Sequence, residues 1–285
     1  MVVNYGPRWD DKNASWWVKA NRAHEHLDDL RSAVKEFRDS TPYTVTPEPT
    51  DRQDRLAYRL RYRRPFPTSI SAVVGDVLSN LRAALESLAY GVAEACHGGV
   101  IPAELERRAT FPITKDSQVF DAFHKERPGL YDDRAKRAFR AVQPFIFMED
   151  SKELGHQTKR TYETNFTWSY LHRLDRLWNI DKHRRLATLA WFPDLISWGS
   201  NGETQRKLYP GDGTMADGSV LFYIEGSDEG RGTAIEHQFN IVLTDDPGHR
   251  ADPAFIMDLV ALLGDFHYHM VDDVFPKIFT IMSES

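Results

Sequence analysis

The apolar positions of the chain change period several times, and each change marks a new element. Over about residues 13 to 39, Trp16, Trp17, Ala20, Ala23, Leu27, Leu30, Val34 and Phe37 recur at spacings of three and four. That spacing predicts one face of a helix. From Arg55 to Arg63 the pattern alternates strictly. Leu56, Tyr58, Leu60 and Tyr62 fall on one side, and Arg55, Ala57, Arg59, Arg61 and Arg63 on the other. This is the signature of a half-buried strand. Tyr43 to Thr46 is its expected partner, joined through a loop from Pro47 to Gln53, and Pro65 and Pro67 close the hairpin. Helical spacing returns over 68 to 96 with Val74, Leu78, Leu81, Leu85, Leu88 and Val92, and Gly98-Gly99 stops it.

Shorter helices are expected near 102–108, 117–126 and 133–143, and the polar segment 149–164 reads as a loop. A further helix is predicted over 165–185. Strand patterns then follow at Leu186 to Trp191, Leu195 to Trp198, Val220 to Ile224 and Ala234 to Leu243. Asp252-Pro253 has the chemistry of a helix start, an N-cap followed by proline, and opens a final helix to residue 282. Helices and antiparallel strands are segregated, so the expected class is α+β. We expect a bundle of long helices (68–96, 165–185 and 253–282) packed with a mainly antiparallel sheet. The expected organisation is a single domain over 1–285, its helical core at about 68–187 plus 253–282, with the 43–64 strands pairing with those of 186–243.

Composition narrows the function classes. The 285 residues are 41% hydrophobic and 12% aromatic, which excludes a disordered or fibrous chain. Cys96 is the sole cysteine, so an intramolecular disulfide and a multi-cysteine zinc site are excluded. The net charge of −6 argues against a globally basic nucleic-acid binder and leaves room for a local basic patch. The first eleven residues carry no secretory pattern, and Asp258, Asp265, Asp272 and Asp273 interrupt the most apolar stretch. A cytoplasmic protein without a membrane span is therefore expected. No phosphate-binding glycine loop, nucleophile elbow or H-E-x-x-H motif is present, so no cofactor and no metal are expected.

The segment from Leu171 to Arg185 carries the most chemistry. At 100° per residue, Tyr170, Leu171, Leu174, Leu177 and Trp178 gather on one side, with His172, Arg176, Asn179 and His183 opposite. A histidine moves protons near neutral pH, a guanidinium holds a phosphate, and an amide orients an imidazole or a ribose hydroxyl. The plainer alternative is a solvated polar face with cationic residues in the last turn, where the helix dipole favours them.

The blocks Gly75-Asp76-Val77-Leu78-Ser79-Asn80-Leu81-Arg82-Ala83-Ala84-Leu85-Glu86 and Asn179-Ile180-Asp181-Lys182-His183-Arg184 resemble a widespread family of bacterial proteins. Thr110-Phe111-Pro112-Ile113 and Val142-Gln143-Pro144-Phe145 match its middle blocks, so the resemblance runs from about 70 to 187. The helical core of that family is in turn similar to HEPN domains, ribonuclease and nucleotide-binding modules of toxin–antitoxin and phage-defence systems. Their mark is an Arg, a gap of four to six residues, and a His, which Arg176 and His183 match, with Asn179 as the polar residue four before the His. The resemblance implies a metal-independent RNA-cleaving site, with His183 as acid/base and Arg176 as phosphate clamp, across a homodimer interface. Trp178 stands where the strongest form of the motif has Arg, and Ser79 and Ser87 stand where the bacterial family often has His.

Other residues complete the candidate set. Asp76, Asn80 and Ser87 share a stripe on the 68–96 helix, where Asp76 is placed to orient His183 or else to join an interhelical hydrogen-bond network. Arg82 and Glu86, four apart, read as a surface salt bridge. Arg59, Arg61 and Arg63 project from one strand face at about 7 Å spacing, either along a phosphate backbone or as the charged side of an exposed strand. Lys182 and Asn80 join them as candidate substrate contacts. Asp265, His269 and Asp273 lie at i, i+4 and i+8 on the last helix, either as metal ligands or as an interface stripe. Three functions remain open: an RNA- or nucleotide-directed HEPN-like protein, a non-catalytic interaction module, and a metal-dependent hydrolase.

Overall fold

The computed structural model describes residues 9–146, 169–183, 188–200, 207–211, 216–225, 233–244 and 258–284. Its described elements are α1 (Ser15–Asp39), β1 (Tyr43–Pro49), β2 (Arg55–Tyr62), α2 (Thr68–Cys96), α3 (Ala103–Glu106), α4 (Ser117–Lys125), α5 (Asp133–Arg140) and α6 (Tyr170–His183). They continue with β3 (Thr188–Ser200), β4 (Lys207–Pro210), β5 (Val220–Glu225), β6 (Thr233–Thr244), α7 (Leu259–His269), a π-helical turn (Met270–Val274) and α8 (Phe275–Met282). Helices and antiparallel strands are both present, as the segregated pattern predicts. The contacts divide the chain into two compact units, one of Met1–Asp28, Val74–Arg184 and Leu263–Ser285, the other of Asp29–Val73 and Arg185–Leu262.

The first unit is helical. The predicted stripe of α2 is its centre: Val74, Leu78, Leu81, Leu85, Leu88 and Val92 are all buried. Burying each such side chain is worth about 1.5–3 kcal/mol. Trp17 meets Phe275 edge-on at 5.1 Å, and Trp9 stacks on Phe279 at 5.4 Å. Gly91 permits a close approach between α1 and α2, because a Cβ there would lie 2.6 Å from the Trp16 ring. Helices α4 and α5 start on carboxylate caps, Asp116 accepting from the Val119 amide and Asp132 from that of Ala135. His124 of α4 is buried among Phe120, Phe123 and Tyr131, with ring centroids at 4.5, 5.1 and 5.8 Å. Burial, aided by the charges of Lys136 and Arg127, pushes its pKa down to about 4.

The second unit holds both sheets. One has the strand order β1-β2-β5-β4 and the other pairs β3 with β6, all antiparallel. The expected pairing of the 43–64 hairpin with later strands is the β2–β5 ladder. Tyr58 and Phe222 stack at 4.8 Å over buried Ile224; Tyr58 and Leu60 are inside as predicted, but Ala57, expected on the charged face, is buried too, and the register shifts between Tyr58 and Arg59. Two readings change. Over the described residues, the strand patterns expected at 186–191 and 195–198 merge into one strand, β3 (Thr188–Ser200), whose register shifts between Pro193 and Leu195. A proline cannot donate to a ladder, and a bulge absorbs it without ending the strand. Strand β4 was not predicted, since four residues ending in Pro210 are too short to show a period.

The final helix also differs from its prediction. Asp252 and Pro253 lie outside the described residues, as does the loop expected at 149–164. The described helix begins at Leu259, where Asp258 accepts from the amides of Val260 and Ala261. It widens into the π turn just before Pro276, the Phe275 amide donating to the Met270 carbonyl. The proline brings no N–H and would crowd a regular turn, and the wider turn accommodates it.

Two outcomes follow. Gly91→Ala forces the Trp16 ring to shift, and the clash outweighs the better helix propensity of alanine by about 1 kcal/mol, read as a lower urea midpoint. The depressed pKa of His124 makes stability full above the unfolded value near 6.5 and lost as pH falls towards 4. His124→Phe therefore loses less stability than wild type between pH 7 and pH 4 in paired urea titrations.

Candidate functional site on helix α6

Helices α2 and α6 run antiparallel, with Gly75 opposite Asp181 and Arg82 opposite Asp175. At Gly75 the missing side chain makes room for a carboxylate. A Cβ there would sit 3.0 Å from both Asp181 oxygens. Burial, then the like charge of Asp76, raises the Asp181 pKa. Seven residues along α2, Arg82 pairs with Glu86 at 2.6 Å and with Asp175 at 3.6 Å. Its Nη2 also donates to the Phe111 carbonyl at 3.3 Å, and the guanidinium lies 5.3 Å from the Trp178 ring. The surface salt bridge expected of Arg82 and Glu86 is thus a four-way junction, with the Arg82 side chain only 12% exposed. Burial raises the Asp175 pKa, and the Arg82 charge opposes the shift.

The other two sequence blocks join the same network. Glu86 accepts from the Phe111 amide at 3.0 Å. Gln143, fully buried, accepts from the amide and hydroxyl of Thr114 at 3.0 and 3.1 Å. Its Nε2 donates to the carbonyls of Pro112 and Phe139 at 2.9 and 3.1 Å. Sequence reasoning missed Arg82, Glu86, Asp175, Asp181 and Gln143 as a connected set. Their signal was present, since four of the five sit inside the four quoted blocks.

The predicted site residues are distributed as follows. His172 and Arg176 stand one turn apart on α6, both partly exposed. Burial, then the Arg176 charge, lowers the His172 pKa and favours the neutral imidazole. Asn179 is exposed and donates to the Asp175 carbonyl at 2.8 Å and to its carboxylate at 3.1 Å. Lys182 is exposed, its ammonium 4.7 Å from the Trp178 ring. His183 is the last residue of α6, and its side chain lies outside the described residues. Asp76 is exposed, with Asp181 as its charged neighbour, and Asn80 donates back to the Asp76 carbonyl at 2.8 Å. Ser87 accepts from the Lys19 ammonium at 2.6 Å.

In the second unit, Arg59 and Arg61 share Glu48, at 2.8 and 2.5 Å, and Arg59 also donates to the Gly218 carbonyl at 2.8 Å. Arg63 is exposed. On α7 and the π turn, His269 pairs with Asp273 at 3.3 Å, Lys277 with Asp273 at 2.8 Å, and the Tyr170 hydroxyl with Asp265 at 3.4 Å. Among the described residues no three His, Cys, Asp or Glu side chains gather to hold a metal ion. The Cys96 thiol is pushed up to about 11 by burial, far from a nucleophile's range. Among the described residues no helix is long and apolar enough to cross a membrane.

Arg82→Ala removes the guanidinium from two carboxylates and the Phe111 carbonyl, at a cost of about 2 kcal/mol. Arg82→Lys restores only part, because an ammonium cannot reach several acceptors in one plane. Chemical denaturation of both variants checks the order. No family model, no curated protein and no solved structure matches the chain.

Proposed function

We propose that the protein binds RNA or a nucleotide through the outer stripe of α6, formed by His172, Arg176, Asn179 and His183. The observation that carries this reading is the placement of the His172 imidazole and the Arg176 guanidinium one turn apart on α6, both partly exposed. A neutral imidazole accepts a proton, and a guanidinium holds a phosphate and offsets charge developing on it. The HEPN-like resemblance of the sequence adds cleavage without metal, with His183 as acid/base, Arg176 as clamp, Asn179 and Asp76 as orienting groups and a homodimer as the working form. Lys182 and Asn80 would flank the substrate, and Arg59, Arg61 and Arg63 form a separate candidate set of phosphate contacts in the second unit.

A second reading has its own support. Gly75, Arg82, Glu86, Phe111, Gln143, Asp175 and Asp181 account for the four sequence blocks as locks between segments. On that reading the chain is a non-catalytic interaction module.

RNA cleavage by the purified protein in EDTA distinguishes the two. Under the first reading wild type cuts an RNA pool, and His183→Ala and Arg176→Ala each lower the rate at least a hundredfold. An intact pool, together with RNA binding that is unchanged in Arg176→Ala, leaves the interaction module standing.

A further inference from the structure

The polar stripe of α6 continues into an aromatic edge. At 100° per residue, Lys182 lies about 40° from Trp178 and about 60° from Asn179, on the arc between them. The Trp178 ring and the stripe are therefore neighbours, joined through Lys182. Trp178 is only partly buried, although Leu171, Leu174 and Leu177 on its own side of the helix are all covered.

Two cations meet this ring. The Arg82 guanidinium lies 5.3 Å from its centroid and the Lys182 ammonium 4.7 Å. Arg82 is held in place by Glu86, Asp175 and the Phe111 carbonyl. Lys182 is exposed and, among the described residues, pairs with no carboxylate. Asp175 lies on the same arc and is already engaged by Arg82 and the Asn179 amide.

A tryptophan face bordered by cations suits a nucleobase, because every base has a flat face to stack and a phosphate beside it. The Lys182 ammonium sits over the ring on a flexible four-carbon stem. An exposed ammonium–ring contact is worth less than a stacked base, so a base displaces it. The freed ammonium is then placed for the phosphate of the same nucleotide. Lys182 and Arg176 are six residues apart, about 9 Å along the helix axis, so one short strand reaches both.

We propose that Trp178 and Lys182 form a subsite for one unpaired nucleobase and its phosphate at the edge of the α6 stripe. This rests on the reading of α6 as an RNA-binding surface and adds what that surface selects. A duplex keeps its bases stacked inside and presents none to the ring, whereas an unpaired base can be splayed onto it.

Binding of the full chain to a short single-stranded 2′-O-methyl RNA, which resists cleavage, tests the subsite. Stacking quenches tryptophan emission, and the quench is lost in Trp178→Phe, whose affinity stays within about threefold because phenylalanine also stacks. Trp178→Ala, an abasic strand of the same length and the strand annealed to its complement each bind at least tenfold more weakly. The abasic strand needs no mutation, so a fold defect in Trp178→Ala does not blur the result. Lys182→Gln keeps the wild-type melting temperature and loses about threefold in affinity. An abasic strand or a duplex that binds as tightly as the intact single strand overturns the subsite and leaves the α6 stripe standing. So does a quench that persists in Trp178→Phe. Absence of strand binding by wild type at submillimolar concentration removes the α6 reading and the subsite with it.

Discussion

The helical unit depends on how the extended segment 110–114 hides its backbone. Such a segment has no ladder partner, so each buried amide and carbonyl must find a side chain or lose about 1–3 kcal/mol. Glu86 takes the Phe111 amide, Arg82 the Phe111 carbonyl, and Gln143 both Thr114 donors and the Pro112 carbonyl. Tyr131 donates to the Thr110 carbonyl. Gln143 is the efficient member, because one amide side chain both accepts and donates. Arg82 then carries the constraint onward to Asp175, which fixes the register of α6 against α2. The orientation of the His172 and Arg176 stripe is a result of that register.

Charge is handled differently in the sheets. Glu48 serves both Arg59 and Arg61, and Glu225 faces Arg52 and Arg55. Arg55 also lies over the Tyr223 ring at 3.8 Å. Exposed pairs of this kind contribute little to stability. They do hold the arginines of β2 against their own sheet and blunt its charged face.

Long periodic elements were legible in the sequence. The bounds of α2 agree with the prediction, because an unbroken apolar stripe and a Gly-Gly stop leave little choice. The β2 alternation and the α6 faces are equally plain. What was missed involves residues that periodicity treats as outward. Arg82 and Glu86 look like an ordinary surface pair at i and i+4, since nothing local announces that a strand-like segment will cover them. Asp258 reads as helix interior, though it caps the start of α7. The bulge at Pro193 splits one strand into two apparent ones. For the candidate site, the α6 stripe was visible from angles alone, while its acidic anchors, Asp175 beside the stripe and Asp181 opposite it, needed the packing of α2.

The π turn at Met270–Val274 carries one residue more than a regular helical turn would need. It therefore works as a phase adjuster. Upstream of it, Leu262, Leu263 and Phe266 face the core; downstream, Phe275 and Phe279 meet Trp17 and Trp9. Those two apolar faces are in step only because the extra residue is present. Deleting one residue within the turn would give an unbroken α-helix, yet rotate everything beyond it by about 100°. The aromatic cluster would then swing out of its socket, so chain length between Phe266 and Phe275 is constrained more tightly than the identity of any residue between them.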